Sequence, residues 1–262
     1  MKKTVVKIFS VIVLMTVCIG CGGENHSYRM IMTVEGSGEI HFELKGSGTV
    51  TIDWGDGSDR TICCLDMWCG RFSKTYAHPG RHTITITGND IVGLEVGRLI
   101  ETGGIGTGTP RRMAPDRGGE LLTGLDVRRN TKLMTLAVRG TQLTSLDLSN
   151  NTALTNLDLK YNQLTSLDLS NNTALTDLDL SNNQLTNLDL SNNTALGLGR
   201  GISGEPVNVR NNQLTASALN ALFESLPLRE EGDRRSIRFG LNSGSGDANT
   251  SIAETRGWHA WR

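Results

Sequence analysis

The chain has 262 residues, of which 37% are apolar, and its formal net charge is −1. This is enough apolar material for a sizeable core, but the charge argues against a nucleic-acid partner, which selects for a basic surface. The five histidines form no convincing constellation with a nucleophile or a metal ligand. We therefore expect no enzyme activity and no cofactor.

Residues 1–20 have the pattern of a signal peptide. Two lysines precede an apolar stretch, residues 5–19, which is too short and too interrupted for a membrane span. The stretch ends in Cys18-Ile-Gly-Cys21, which resembles the lipobox of bacterial lipoproteins. The resemblance implies that Cys21 is acylated, that residues 21–28 form a tether, and that the protein is anchored to the outer membrane at the cell surface. The alternative is secretion without a lipid, because Cys18 replaces the usual aliphatic residue.

Residues 29–90 are predicted to form a small β-sandwich. Alternating apolar and polar residues, as in Arg29–Val34 and His82–Thr87, are separated by glycine-rich turns. The runs Asp53-Trp-Gly-Asp-Gly-Ser58 and Tyr76-Ala-His-Pro-Gly80 resemble PKD domains, which are immunoglobulin-like sandwiches. The resemblance implies that the tryptophan of the first run packs in the core and that the module is a spacer or a weak binding unit outside cells.

This module carries an odd number of cysteines, Cys63, Cys64 and Cys69. In an oxidising compartment, one disulfide and one remaining thiol are expected. Cys64 to Cys69 is the easier closure, because adjacent cysteines bridge each other only with strain.

Two metal sites are alternatives in the same module. The spacing Cys64-x4-Cys69-x8-His78-x3-His82 approximates a zinc site, and the three aspartates of the loop at 53–59 offer oxygen ligands for calcium. Turns and strands already explain these positions, so we expect no metal.

Residues 91–120 are expected to be a connector or a degenerate first repeat. Ile91–Val96 can supply the first strand of the repeats, because Leu94 lies 31 residues before Leu125, close to three half-units. Residues 103–119 are rich in Gly, Pro and Arg and lack apolar rhythm, which predicts a mobile loop.

Residues 121–214 carry a repeat of 21 residues. The leucines that recur at alternating intervals of 11 and 10 residues are Leu125, Leu136, Leu146, Leu157, Leu167, Leu178 and Leu188. In each Leu-Asp-Leu, neighbouring side chains point to opposite faces, so Asp158 and Asp179 are expected to face solvent. Asn162 and Asn183 stand at the following turn, where buried amides can bond the backbone of adjacent coils.

The motif LxxLxLxxNxL resembles bacterial leucine-rich repeats of the 21-residue class, related to internalin-type repeats, between Leu121 and Leu196. The resemblance implies a solenoid with a parallel sheet on its concave side and a second set of leucines on its convex side. The concave set is Leu136, Leu157, Leu178 and Val207, and the convex set is Leu125, Leu146, Leu167 and Leu188. Such an array needs caps at both ends.

Residues 215–262 are predicted to be an α/β cap. Apolar residues after Thr215 keep helical spacing up to Pro227, Ser236–Phe239 has a strand pattern, and Ser251–Arg256 has the pattern of a short helix. Two tryptophans follow, and we expect them to shield the last coil.

The sequence therefore predicts a noncatalytic, mainly β lipoprotein that binds a protein partner, such as a host protein, through the concave face of its repeats. The residues expected at this face are Ala137, Arg139, Asp158, Lys160, Tyr161, Asp179, Ser181, Asn208 and Arg210. Tyrosine and arginine are residue types that dominate binding energy. Glycan binding through an exposed Trp68, Trp258 or Trp261 is one alternative, and a purely structural envelope component is another.

Overall fold

The computed structural model describes residues 28–65, 70–97, 99–102, 112–115, 121–198, 206–229 and 235–262. The signal peptide, Cys21, residues 22–27 of the tether, Trp68 and Cys69 lie outside these residues. The described part is mainly β, as expected, and neither of its helices is long and apolar enough to span a membrane. The strands are β1 Arg29–Ser47, β2 Thr49–Asp53, β3 Thr61–Cys64, β4 Arg71–Thr87, β5 Asp90–Val96, β6 Leu99–Thr102, β7 Arg112–Pro115, β8 Leu122–Asp126, β9 Thr135–Val138, β10 Asn156–Asp158, β11 Asp177–Asp179, β12 Val207–Asn208, β13 Arg235–Arg238 and β14 Trp258–Trp261, and the helices are α1 Ala216–Ser225 and α2 Ser251–Thr255.

Strands β1 and β4 form a long antiparallel pair that organises the N-terminal module. Its register shifts between Gly36 and Gly38, and such a bulge bends a strand pair. Before the bulge β1 also pairs with β8, and after it β1 pairs with β5. Buried apolar residues alternate with more exposed ones along β1, so one face of the β1–β4 pair forms the core of the module.

Trp54 belongs to this core, as the sequence predicted. Its indole Nε1 donates to Thr61 Oγ1 over 2.9 Å, and its carbonyl accepts a hydrogen bond from the Tyr76 hydroxyl over 2.7 Å. Burial raises the pKa of Tyr76 to about 12. Lys74 forms an ion pair with Asp56 at 2.6 Å, and together with Ser58 it lowers the pKa of that carboxyl.

The structure corrects the choice of bonded cysteine. Cys63 is disulfide-bonded, whereas Cys64 carries a free, exposed thiol. The reason is the alternation of side chains along β3: Cys63 packs against the core, and Cys64 lies on the opposite face beside Thr49. Sequence spacing favoured Cys64 because it ignored this alternation.

Strand β5 belongs to both halves of the described chain. It pairs antiparallel with β1 along one edge and parallel with β9 along the other, where Leu94 lies opposite Leu136. The prediction that Ile91–Val96 supplies the first strand of the repeats is therefore confirmed. At the junction, Gly97 adopts a φ of 73°, and a Cβ added there would lie 1.8 Å from the Arg139 carbonyl oxygen.

Strands β5 and β9–β14 form a parallel sheet, which we call the parallel ladder. One inward position per strand lies in register, occupied in turn by Leu94, Leu136, Leu157, Leu178, Val207, Ile237 and Ala260. The expected parallel pairing of the first leucine set is thus confirmed. Strand β14 was not predicted, because its two tryptophans were interpreted as a cap rather than as part of the sheet.

The second leucine set lies on irregular backbone. Leu125 is in β8, but Leu146, Leu167 and Leu188 belong to no strand, and the first three of the set are only partly buried. The expected loop at 103–119 also differs from the structure, because Arg112–Pro115 pairs antiparallel with β6.

The predicted helix, strand and short helix of the C-terminal segment are present, but Trp261 does not shield the last coil as expected, because 57% of it is exposed. The Thr215 hydroxyl accepts a hydrogen bond from Ala218 N and begins α1, which buries the apolar residues Leu219, Leu222 and Phe223. Trp258 is buried, and its Nε1 donates to the Pro227 carbonyl over 2.8 Å. The expected strand and short helix are confirmed as β13 and α2.

Candidate functional site

The candidate site is the face of the parallel ladder that points away from the core, which we call the outer face. Two rows of side chains run across it, because residues two apart share a face of a strand. The central row is Glu95, Ala137, Asp158, Asp179, Asn208, Arg238 and Trp261, and the second row is Arg139, Lys160, Ser181 and Arg210. The nine residues predicted from the sequence therefore all lie on or directly after β9–β12.

Buried asparagines hold the strands of this face in register. Asn162, Asn183, Asn212 and Asn242 each donate through Nδ2 to a carbonyl of the preceding coil and to one of their own coil. The predicted role of Asn162 and Asn183 is confirmed. A second, unpredicted column lies on the side of the irregular leucine set, where Asn151, Asn172 and Asn193 each donate through Nδ2 to two carbonyls of the preceding coil.

Two aspartates of the outer face are buried, which overturns the expectation that they face solvent. Only 1% of Asp158 and 3% of Asp179 is exposed, and Ala137, Lys160 and Ser181 are buried as well. Adjacent strands lie only about 4.8 Å apart, so long side chains of neighbouring coils cover the carboxylates. Alternation along one strand correctly predicted the face but could not show this lateral cover.

The buried carboxylates belong to a chain of ion pairs. Arg139 Nε donates to Asp158 Oδ2 over 2.6 Å, and Lys160 Nζ lies 3.1 Å from the same oxygen and 3.9 Å from Asp179 Oδ2. Arg139 also reaches Glu95 at 3.6 Å, and Lys45 contacts Glu95 at 2.5 Å. The N-terminal part of the outer face is therefore largely neutralised by its own charges.

The pKa values of the carboxylates at the two ends of this chain of ion pairs are shifted in opposite directions. Burial raises the pKa of Glu95, but the hydrogen bond from Lys45 and the charge of Arg139 outweigh it and hold the pKa below its usual value. For Asp179, burial and then the neighbouring charge of Asp158 raise the pKa, and hydrogen bonds from Ser181 offset this only in part. Of these two carboxylates, Asp179 therefore has the less complete compensation for its burial.

Asp179→Asn is expected to stabilise the protein near neutral pH. Because the folded chain holds this proton more tightly than the unfolded chain, stability is highest below the ordinary pKa of 3.8 and falls as the pH rises through the raised value. Asparagine keeps an oxygen acceptor for Ser181 and carries no charge. Urea unfolding midpoints measured from about pH 4 to about pH 7 should show this fall in the wild type and lose it in the variant.

Asp168→Asn is the matched control. Asp168 also accepts a hydrogen bond from the backbone of the serine two residues on, but it is exposed, and that bond lowers its pKa. Removing the Asp168 charge should slightly lower the free energy of unfolding near neutral pH. If Asp168→Asn stabilised the protein as much as Asp179→Asn does, burial of Asp179 would not be the cause of the stabilisation.

A column of left-handed residues follows the strands at the border of the outer face. Its members, each with φ between 55° and 62°, are Gly140, Tyr161, Asn182, Asn211 and Leu241. Glycine and asparagine tolerate this conformation, whereas a bulky side chain is strained in it. Tyr161 and Leu241 are nevertheless there, with 48% and 63% of their surface exposed.

The C-terminal end of the outer face is exposed and basic. Arg210, Arg238 and His259 are exposed, and 57% of Trp261 is accessible. Arg238 lies directly opposite Trp261 in the register of β13 and β14. Sequence reasoning missed Arg238 and His259, although the alternation in Ser236-Ile-Arg-Phe239 was a usable signal for Arg238.

No family model matches the chain, and no curated protein matches it. Among solved structures, the chain is similar to the functional domain of InlJ from Listeria monocytogenes, which includes a cysteine ladder. The identity is 24%, the TM-score is 0.39, and the similarity covers 52% of this chain and 31% of that one. The chain therefore spans about a third of the length of the solved chain.

Proposed function

We propose that the chain is a noncatalytic lipoprotein of the bacterial cell surface that binds a protein partner through the outer face of the parallel ladder. In this proposal, Cys21 carries the lipid, a PKD-like sandwich forms the N-terminal module, and a leucine-rich-repeat solenoid with an α/β cap presents the binding surface on its concave side. The observation that carries the proposal is the conformation of Tyr161.

Tyr161 destabilises the fold at a position where two other coils carry asparagine. Asn182 and Asn211 occupy the same left-handed position, where asparagine is tolerated. A bulky residue there costs about 1 kcal/mol, and about half of the Tyr161 surface is nevertheless exposed. Exposed tyrosine is also a residue type that contributes strongly to protein interfaces. Its presence is therefore best explained by a contact with another molecule.

The extracytoplasmic location has independent support in the cysteines. Cys63 is disulfide-bonded, and such bonds persist in oxidising compartments outside the cytoplasm. This agrees with the signal-peptide pattern of residues 1–20. Incorporation of a labelled fatty acid, compared between the wild type and Cys21→Ser, tests the lipid anchor.

Tyr161→Asn is expected to separate binding from stability. The substitution should raise the free energy of unfolding by about 1 kcal/mol, because asparagine tolerates the left-handed backbone. It should also weaken capture of the partner from a host-protein library at least about tenfold, because an exposed aromatic anchor is lost. Urea unfolding gives the first quantity, and surface plasmon resonance with the captured partner gives the second.

Leu241→Asn is the control for strain at the same position of another coil, where the side chain is also exposed and left-handed. It should stabilise the fold similarly. If Tyr161→Asn stabilised the protein and left partner affinity unchanged, the binding role of the outer face around Tyr161 would be rejected.

Glycan recognition is a second candidate because one tryptophan is suitably placed for it. Trp258 is buried beneath the last coil, whereas Trp261 is exposed on the outer face. An exposed indole offers an apolar surface on which a sugar ring can stack. Glycan-array binding that disappears in Trp261→Ala but persists in Tyr161→Asn would favour this candidate over a protein partner.

A further inference from the structure

The column of left-handed residues carries two exposed apolar side chains with two carboxamides between them. On consecutive coils its members are Tyr161, Asn182, Asn211 and Leu241, each joined to the next coil by a main-chain hydrogen bond. Because adjacent strands lie about 4.8 Å apart, Tyr161 and Leu241 are about 14 Å apart along the parallel ladder. Four residues of extended chain span the same distance, since the rise is about 3.4 Å per residue.

The two asparagines offer one hydrogen-bond donor and one acceptor to another molecule. Asn211 Nδ2 donates to Asn182 Oδ1 over 2.7 Å, which joins the two side chains into a pair. The Asn182 amide nitrogen and the Asn211 amide oxygen have no partner among the described residues. A residue of extended chain presents its N–H and C=O on one side, where such a pair can bond to both. A helix bonds these groups internally, so the asparagine pair favours an extended ligand.

The surface around the asparagine pair is positively charged. Arg210, next to Asn211, is exposed, and its guanidinium has no partner among the described residues. The column itself contains no acid, and Asp179 on the adjacent strand is only 3% exposed. The gaps in the described sequence at 199–205 and 230–234 fall before β12 and β13, whereas Arg210 and the column follow the strands. A carboxylate is therefore the group that complements this surface.

We propose that the column of left-handed residues binds an extended segment of a partner protein with the pattern apolar-x-acidic-x-apolar. This inference rests on the proposed function and names the partner chemistry that the same site recognises. Side chains two apart point to the same side of an extended chain, so the three specified residues lie together over the column. The two apolar residues pack on Tyr161 and Leu241. The acidic residue pairs with Arg210, and its main chain bonds to the asparagine pair.

Strain and charge both support this occupant. Leu241 is as exposed and as strained as Tyr161, so both ends of the column keep a bulky apolar side chain where asparagine would be tolerated. A second copy of the chain fits less well, because a two-fold contact through the asparagine pair would bring the two Arg210 side chains together. Like charges at such a contact are destabilising.

The experiment measures binding of fluorescein-labelled peptides to the full chain by fluorescence anisotropy. The test peptide has a glutamate with leucine two positions away on either side and serine elsewhere. One comparison peptide moves one leucine a single position outward, and the other replaces glutamate by lysine. The test peptide should bind at least about tenfold more tightly than either, and salt should weaken its binding. N-methylation of its glutamate, which removes a main-chain donor, should also cost about tenfold. Equal affinity of the peptide with the moved leucine would overturn the proposal.

Arg210→Glu tests the charge of the site. It should weaken the glutamate peptide about tenfold and strengthen the lysine peptide, a gain that a misfolded variant would not show. Arg129→Glu is the matched control, because Arg129 is also exposed but lies in the turn before β9, and it should change neither affinity. Asn182→Gly keeps a residue that tolerates the left-handed backbone and removes the amide, so it should weaken the test peptide about tenfold. Wild-type binding of both peptides by Arg210→Glu would overturn the proposal.

Leu241→Asn separates this inference from the proposed function. It should weaken the test peptide about tenfold, because the second apolar anchor is lost. If it had no effect while Tyr161→Asn still weakened capture of the partner, the extended segment would be overturned and the proposed function would stand. Normal capture of the partner by Tyr161→Asn would overturn both.

Two outcomes would identify a different occupant. A dimer in sedimentation equilibrium that dissociates in Leu241→Asn would overturn the proposal in favour of a second copy. Sulfated dextran that binds more tightly than the test peptide, and equally well to Leu241→Asn, would overturn it in favour of an acidic glycan.

Discussion

Asn183→Ala is expected to lower the free energy of unfolding by about 2 kcal/mol. The Asn183 amide donates to the Leu159 and Leu180 carbonyls at 2.9 and 3.0 Å, and its oxygen accepts from Leu164 N at 3.1 Å. Alanine leaves the Leu164 N–H buried without a partner, and it removes one of the two side-chain hydrogen bonds that each carbonyl accepts, since Asn162 and Asn212 still donate to them. Urea unfolding monitored by far-UV circular dichroism measures the effect.

Asn192→Ala provides the comparison within the repeats. Asn192 is exposed and stands next to Asn193, a member of the second asparagine column. Its replacement should change stability by less than about 0.5 kcal/mol. Equal effects of Asn183→Ala and Asn192→Ala would show that the buried column does not hold the coils together.

Gly97→Ala is expected to have the larger effect, a loss of more than about 4 kcal/mol or failure to fold. Glycine is required for two reasons: φ is 73°, and an added Cβ would lie 1.8 Å from the Arg139 carbonyl oxygen. That oxygen belongs to the backbone, so the clash moves β9 away from β5. Thermal unfolding and soluble yield report the result.

Gly57→Ala separates the cost of the left-handed backbone from the cost of the steric clash. Gly57 has a similar φ of 79°, but an added Cβ there meets nothing within 4 Å. It should therefore lose only about 1 kcal/mol, the cost of the left-handed backbone. If Gly97→Ala were no more destabilising than Gly57→Ala, the close approach between β5 and β9 would not be needed for stability.

The positions of the core strands could be predicted because one periodicity determined them. The spacing of Leu136, Leu157 and Leu178 predicted a parallel pairing that the structure confirms, and Leu94 extended it across an irregular connector. Helix α1 was predictable for the same reason, since its buried residues keep helical spacing. Each of these patterns is local or strictly repeated.

The electrostatics of the candidate site could not be predicted from such patterns. Asp158 repeats the Leu-Asp-Leu text of its neighbours, but its burial depends on Arg139 and Lys160, which come from different coils. The bonded cysteine was missed because the face that Cys63 occupies depends on the register of β3 with β2.

The shared strand β5 also determines how the protein would carry load. In the proposed arrangement, a partner pulls on the parallel ladder while the N-terminal end is held at a membrane. Tension between these points passes through β5. It loads the pairings of β5 with β1 and β9 along the direction of the strands. Hydrogen bonds loaded in shear yield together rather than one at a time. The described part of this junction would therefore resist detachment as a unit.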